Sequence, residues 1–218
     1  MEGLRIALPG GALLSGACEL LTEAGITDID ASAFDERLLV HRDALHLVKV
    51  RPTDVPVYVE MGACDCGIVG KDILWEIDHS SYELIDLRFG GCRLVLAAPE
   101  GSAMARGEVV HHLRIATKYP RASRRFFDGK GMTVELLKLH GSIELAPATG
   151  LVDAVIDLTM TGRTLLANQL VEVAEAGTST ARLIVNQASL KTRSTLVNGV
   201  ATALREAVES AASGGRPL

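Results

Sequence analysis

Apolar residues fall along this chain in two alternating rhythms. Short apolar runs that read as strands are separated by segments whose apolar positions recur every three or four residues. "LRIALP" opens as a strand and meets a glycine pair just after Pro9. Leu13, Leu14, Ala17, Leu20, Leu21 and Ala24 then recur at helical spacing, and Gly25 is the expected stop. "LHLVKVR" (45–51) is a strand. "DVPVYVEMGA" (54–63) reads as a helix with Asp54 as N-cap and Pro56 in its first turn. "CGIVG" is a buried strand and "KDILWEI" a short helix, and the strands "YELIDL" and "CRLVLAAP" flank "RFGG".

The alternation continues. "LRIATKY" (113–119) is a strand, Pro120 opens a helix, and "MTVELLKLH" is a strand. "SIELAPATG" reads as a helix capped by Ser142, "LVDAVIDLT" as a strand, "TGRTLLANQL" as a helix, and "VEVAEA" and "ARLIVN" as strands. From Ala188 on, Leu196, Val200, Leu204 and Val208 lie four residues apart, the stripe of one amphipathic terminal helix. The pattern predicts an α/β chain with helices on both faces of mostly parallel sheets. The polar, glycine-bearing "GSAMARGEVVHH" (101–112) is where one sheet would end.

Composition narrows the function classes. A chain of 218 residues makes one large domain or two small ones, and 48% hydrophobic residues supply a core. Aromatics at 4% and a net charge of −5 argue against a nucleic-acid partner but leave small anionic substrates open. No basic segment precedes an apolar leader and no apolar run reaches the length of a membrane span, so a cytoplasmic protein is expected. Four cysteines stand at 18, 64, 66 and 92, and the C-x-C pair has no second pair to complete a zinc set. Reduced, buried thiols are the expectation.

Candidate chemistry gathers at strand ends. In "DAVIDLTMTGRTL" (153–165) an apolar strand delivers Asp157, a threonine-rich turn follows, and a helix is expected from about Thr161. Thr161, Gly162 and Thr164 would offer hydroxyls and free N–H groups at a helix N-terminus, which suits a phosphate monoester. Asp157 would hold a ribose hydroxyl pair, or magnesium through water. An ordinary strand–turn–helix with a threonine cap reads the same way locally. Arg51 ends a strand, Lys71 and Asp72 follow Gly70, and Arg37 lies in a loop after the first helix. These side chains suit either a cationic cleft or a solvated surface. Lys118, Ser142 and Glu144 fall at strand-to-helix junctions, and His140 is a lone histidine with no nucleophile near it.

The blocks "VRPTDVPVYVEMGACDCGIVGKDIL", "GGCRLVLAAP", "RIATKYPRASRRFF", "KLHGSIELAPATGLVDAVIDLTMTGRTLLANQLVEV" and "ARLIVNQASLK" together resemble the catalytic subunit of ATP phosphoribosyltransferase, from Leu4 to Arg193. The resemblance implies the first step of histidine biosynthesis. ATP and phosphoribosyl pyrophosphate give N1-(5-phosphoribosyl)-ATP and pyrophosphate, with magnesium. It implies the short form of the family, a catalytic-subunit homodimer in a hetero-octamer with a regulatory subunit resembling histidyl-tRNA synthetase. The implied fold is two α/β lobes resembling type II periplasmic binding proteins with the site in the cleft between them, lobe I being 1–90 with 175–218 and lobe II 91–174. Carried onto this sequence, Glu144, Asp157, Thr159, Thr161, Gly162, Arg163 and Thr164 bind phosphoribosyl pyrophosphate. Arg37 and Arg51 act catalytically, and Gly10, Gly11, Asp54 and Lys71 face ATP or pyrophosphate. The metal ligands are not implied.

One stretch departs from the family. After the first strand the family usually reads "LPKGRL", whereas this chain reads "LPGGAL", with Gly10 and Ala12 at the two cation positions. Met160 stands where an acidic residue is common. The alternatives are therefore a weakly catalytic paralogue or regulatory nucleotide-binding subunit, and a small-molecule binding module on the same fold.

Overall fold

The computed structural model describes residues 3–42 and 44–213. The chain divides into two compact units, one running to Gly90 and resuming at Thr180, the other spanning Gly91–Ser179. The first unit begins β1 (Leu4–Pro9), α1 (Leu14–Glu23), a 3₁₀ turn (Ala31–Phe34), β2 (Leu39–Arg42) and β3 (Leu45–Val50). It continues α2 (Val55–Glu60), β4 (Cys66–Gly70), α3 (Lys71–Glu76) and β5 (Tyr82–Asp86). The second unit holds β6 (Cys92–Pro99), β7 (Arg114–Thr117), α4 (Pro120–Gly129) and β8 (Glu135–Lys138). A 3₁₀ turn (Ile143–Leu145), β9 (Ala154–Thr159), α5 (Arg163–Ala167) and β10 (Leu170–Ser179) complete it. The chain then adds β11 (Ala181–Val185), α6 (Gln187–Thr192) and α7 (Ser194–Ser213) to the first unit.

The sheet orders are β2-β3-β1-β4-β11-β5 and β10-β6-β9-β7-β8. β1 is buried on both faces because its neighbours cover both. Leu4, Ile6 and Leu8 pack with α1 and α7 through Ala17, Leu20, Leu21 and Leu204. Ala7 points the other way, to Val55 and Val59 of α2. The second unit has its own core of Val95, Ala116, Val155, Leu165 and Leu170.

The expected α/β alternation is present, but the sheets are mixed rather than mostly parallel. Among the described residues, four pairings are parallel and five antiparallel. The returning strand β11 inserts antiparallel between β4 and β5, and β6 and β10 pair antiparallel beside the unit boundary. The β2–β3 hairpin adds the strand that periodicity missed. The 101–112 segment ends no sheet, since β6 before it and β7 after it lie in the same one with β9 between them. The return to the first unit falls at Thr180 rather than 175, because β10 stays paired with β6 from Leu170↔Pro99 to Ser179↔Cys92.

Two helices also differ from expectation. Ser142 sits at φ +37 and caps nothing, and only one 3₁₀ turn follows. Pro147 has no N–H to reach the Ile143 carbonyl, so an α-ladder cannot form there; Ala146 bonds that carbonyl instead at 3.0 Å. The terminal helix is two helices, broken at Arg193. Asn186 caps α6 by accepting from the N–H groups of Ala188 and Ser189. In α7 the buried face is Val197, Ala201, Leu204 and Val208, and Leu196 lies off it.

Arg193 breaks the helix for a reason visible in the first unit. Its Nη1 donates to Asp65 Oδ2 at 2.7 Å and to the Gly3 carbonyl at 3.1 Å. Asp65 also accepts from the Arg5 N–H at 2.8 Å and the Ser189 hydroxyl at 2.8 Å. One buried carboxylate thus ties β1, the start of β4 and the α6–α7 junction together.

Candidate active site

In the first unit, β1 and β3 end side by side and open a pocket of about 850 Å3. Its wall includes Gly10, Gly11 and Ala12 after β1, Lys49 to Arg51 from β3, and Asp54 and Tyr58 of the α2 segment. Gly10 extends the strand pairing by donating to the Val50 carbonyl at 2.8 Å. Gly11 turns the chain at φ +82, and its carbonyl accepts from the Leu14 N–H at 3.1 Å. No side chain caps α1 and no acidic residue stands in its first turn, so the positive end of its dipole is not offset.

Four of the expected residues, Gly10, Gly11, Arg51 and Asp54, meet in this pocket. Asp54 stands at the N-cap position of α2 as expected, but its side chain makes no capping bond; among the described residues its carboxylate accepts from the Thr53 hydroxyl at 3.2 Å. Arg37 is exposed beside Leu38, which lines the wall, but is not itself part of it. Lys71 lies outside the pocket, where its ammonium pairs with Glu83. Glu83 also faces Arg182, which bonds Asp86 at 2.8 Å, so Lys71 belongs to a surface ion network. Among the described residues, Arg37, Lys49 and Arg51 have no carboxylate in salt-bridge reach. Lys49 escaped the sequence reading because a lysine inside a strand ordinarily faces solvent.

The second unit gathers the other set. β9 delivers Asp157, whose Oδ2 accepts from Lys118 Nζ at 3.1 Å and whose Oδ1 accepts from the Leu158 N–H at 2.9 Å. Burial raises the Asp157 carboxyl above its ordinary 3.8, against the pull of Lys118 and with a smaller push from the nearby charge of Glu144. Asp157, Lys118 and Glu144 are therefore one electrostatic cluster.

The turn after β9 differs in two respects from its expected form. Gly162 adopts φ +71 and its N–H is not free: it donates to the Thr159 hydroxyl at 2.7 Å. The helix starts at Arg163, two residues later than expected. A Cβ at Gly162 would stand 3.0 Å from Glu172 Oε1, so any side chain there is both strained and crowded. Thr161, Arg163 and Thr164 are exposed, and among the described residues their side chains have no partner. Beside them Arg93 makes a two-pronged bond to Glu172 at 2.8 and 3.0 Å. That pair spans 79 residues of sequence, so no local pattern announces it.

Asp157→Asn tests the cost of this arrangement. A carboxyl raised in the folded state makes the native chain hold its proton more tightly than the unfolded chain. Its contribution to stability therefore falls as pH rises through the window above 3.8, and the penalty is complete beyond the raised value. The variant is expected to melt no lower than the parent at pH 7. Thermal melts of both proteins at pH 4 and pH 7 measure this, and a lower melting temperature for the variant at pH 7 contradicts it.

Among the described residues the cysteines form no disulfide. Cys18, Cys64 and Cys66 are buried, and burial pushes the Cys18 and Cys64 thiols up to about 11. Among the described residues no group of three or more His, Cys, Asp or Glu side chains could hold a metal.

A model of the family described as HisG: ATP phosphoribosyltransferase matches residues 51–206. The chain is 43% identical over 212 residues to the ATP phosphoribosyltransferase of Thermoanaerobacter sp. (strain X514), covering 96% of this chain and 98% of that one. It is 44% identical to that of Rubrobacter xylanophilus over 203 residues, 92% of this chain and 94% of the other.

The chain belongs to the ATP phosphoribosyltransferase family.

Membership makes it a transferase. Among solved structures, the ATP phosphoribosyl transferase (HisG:HisZ) complex from Thermotoga maritima superposes with a TM-score of 0.77 at 33% identity, over 95% of this chain and 99% of that one. The periplasmic aliphatic sulphonate binding protein SsuA from Escherichia coli gives a TM-score of 0.62 at 15% identity, over 98% and 75%. The second likeness shows the fold alone, which is the periplasmic-binding-protein type expected from sequence.

Proposed function

We propose that this family member transfers the 5-phosphoribosyl group of phosphoribosyl pyrophosphate to N1 of ATP and releases pyrophosphate. The turn Thr159–Thr164 after Asp157 carries the reading. It joins the Thr161 and Thr164 hydroxyls, unpaired among the described residues, and the Arg163 guanidinium, which suit a 5-phosphate, to a carboxylate that suits the ribose hydroxyls. Glu144 serves the sugar end of that site, and Lys118 holds Asp157 in place.

N1 of adenine carries a lone pair, so no proton has to leave before attack. The N1–C1 bond forms as the C1–oxygen bond to pyrophosphate breaks, and the electron pair of that bond stays on the pyrophosphate. Positive charge develops at C1, as in other glycosyl transfers, and negative charge gathers on the leaving group. The cations Arg51 and Arg37 stabilise the second charge, and Gly10, Gly11 and Asp54 shape the pocket that receives the phosphate groups. Lys71 keeps its expected role only by leaving Glu83. Magnesium, when bound, neutralises charge on the pyrophosphate. Asp157 would hold it through water, a mode open to an ion that keeps several of its waters.

The proposal extends to assembly. A catalytic-subunit homodimer works with a regulatory subunit resembling histidyl-tRNA synthetase in a cytoplasmic hetero-octamer. The solved Thermotoga maritima complex supports a two-component enzyme. No helix of the described residues is long and apolar enough to cross a membrane. The purified chain is expected to form the adduct from its two substrates, faster with the regulatory subunit than alone. Absorbance at the adduct's band, followed with and without that subunit, measures it. No product under either condition overturns the proposal.

A further inference from the structure

The loss of both usual cations from "LPGGAL" leaves a question that β3 answers. Lys49 pairs in register with Leu8, two residues before Gly10, and lines the same pocket. A Cβ at Gly10 would stand 3.8 Å from Lys49 Cγ and 3.3 Å from the Val50 carbonyl. A lysine on Gly10 would therefore start its course alongside the Lys49 stem. The Lys49 ammonium donates to the Phe34 carbonyl and sits 6.0 Å from the centre of the Phe34 ring, which is fully buried. Both partners are neutral. They hold the side chain in place without cancelling its charge, and an ammonium has three donors.

We propose that Lys49 supplies, from β3, the charge that the first loop lacks, and contacts a polyphosphate group held against Gly10 and Gly11. The inference rests on the transfer reaction proposed above. It makes the chain a rewired member rather than a degraded one. The cation has moved from the loop to the adjacent strand, while the backbone donors of the loop and the uncapped start of α1 remain.

Lys49→Met keeps the apolar stem and removes the charge. Its kcat/KM is expected to fall about 10- to 100-fold, the factor that goes with one hydrogen bond to a charged group. Titration calorimetry with inorganic pyrophosphate and, separately, with ATP should show weaker binding of at least one by a similar factor, and the melting temperature should fall as well, since the buried Phe34 carbonyl loses its donor. The arm that weakens identifies the polyphosphate. Gly10→Lys in the Lys49→Met background should restore most of the loss, since Gly10 is not in the left-handed region and needs the Val50 carbonyl to give by only a few tenths of an ångström. The same Gly10→Lys change in the parent should gain little, because it sets two ammonium groups side by side. Lys49→Met binding both anions as tightly as the parent overturns the proposal, and so does a loss that Gly10→Lys fails to restore. If the parent itself makes no adduct, the transfer reading fails, while the two titrations still decide whether Lys49 binds polyphosphate.

Discussion

Arg51→Ala is expected to lower kcat/KM for adduct formation by about 100- to 1,000-fold, the range for removing one preorganised donor from a developing charge. Arg51 stands at the end of β3, exposed, with no carboxylate partner among the described residues. Its carbonyl accepts from the Asp54 N–H at 2.9 Å, a backbone turn that alanine preserves. Nothing buried is orphaned when the guanidinium goes, so the melting temperature should not move. The loss should appear chiefly in kcat, since the charge it opposes is largest as pyrophosphate leaves. Arg51→Lys should recover only part of it, because an ammonium cannot bond two phosphate oxygens with a planar fork. Steady-state rates beside thermal melts separate the two effects. An unchanged kcat would remove Arg51 from the reaction, and a fall in melting temperature would make it structural.

Asp65→Ala is expected to do the reverse and strike stability, by about 3–5 kcal/mol, the cost of removing one partner of a buried ion pair. The Asp65 side chain is 9% exposed and that of Arg193 25%. With Asp65 gone, the Arg5 N–H, the Ser189 hydroxyl and the Arg193 guanidinium all lose an acceptor. The places they join are far apart in sequence, Asp65 and Arg193 being 128 positions apart, so the whole first unit loosens at once. Asp65→Asn keeps the shape and should fall between the parent and alanine. Urea unfolding followed by circular dichroism gives the difference from the shift in midpoint at constant slope. A loss below about 1 kcal/mol, the size of an ordinary substitution, would contradict the tie.

Which parts were legible in the sequence follows from where the physics is local. β1, β4 and β9 lie inside their sheets, so their residues are almost all apolar, interrupted only by Arg5 in β1 and by Asp157 and Thr159 in β9. α1 shows a clear apolar stripe and a glycine stop. β2 is an edge strand with only Val40 buried, too short and too exposed to carry a two-residue period. Pairing direction is written in no strand; β11 reads the same whichever way it enters the sheet, and the chain that must return from the second unit sets it antiparallel to β4.

The site divides in the same way. Asp157 and the threonine turn were visible because strand, turn and helix signals fall within a dozen residues. The capped N–H of Gly162 was not, since composition alone cannot tell whether the Thr159 hydroxyl turns inward to it. Arg93 with Glu172, and Lys49 beside Gly10, depend on strand neighbours, which only the sheet order supplies. The departure at Gly10 and Ala12 was plain in the sequence, but its compensation on β3 was not.

Purified chain, given ATP, phosphoribosyl pyrophosphate and magnesium with the regulatory subunit present, should be sampled over time and its products separated. N1-(5-phosphoribosyl)-ATP and pyrophosphate are expected to accumulate in equal amounts as ATP falls, which is the transfer proposed for this chain. Pyrophosphate without adduct, or ATP left unchanged, would contradict it.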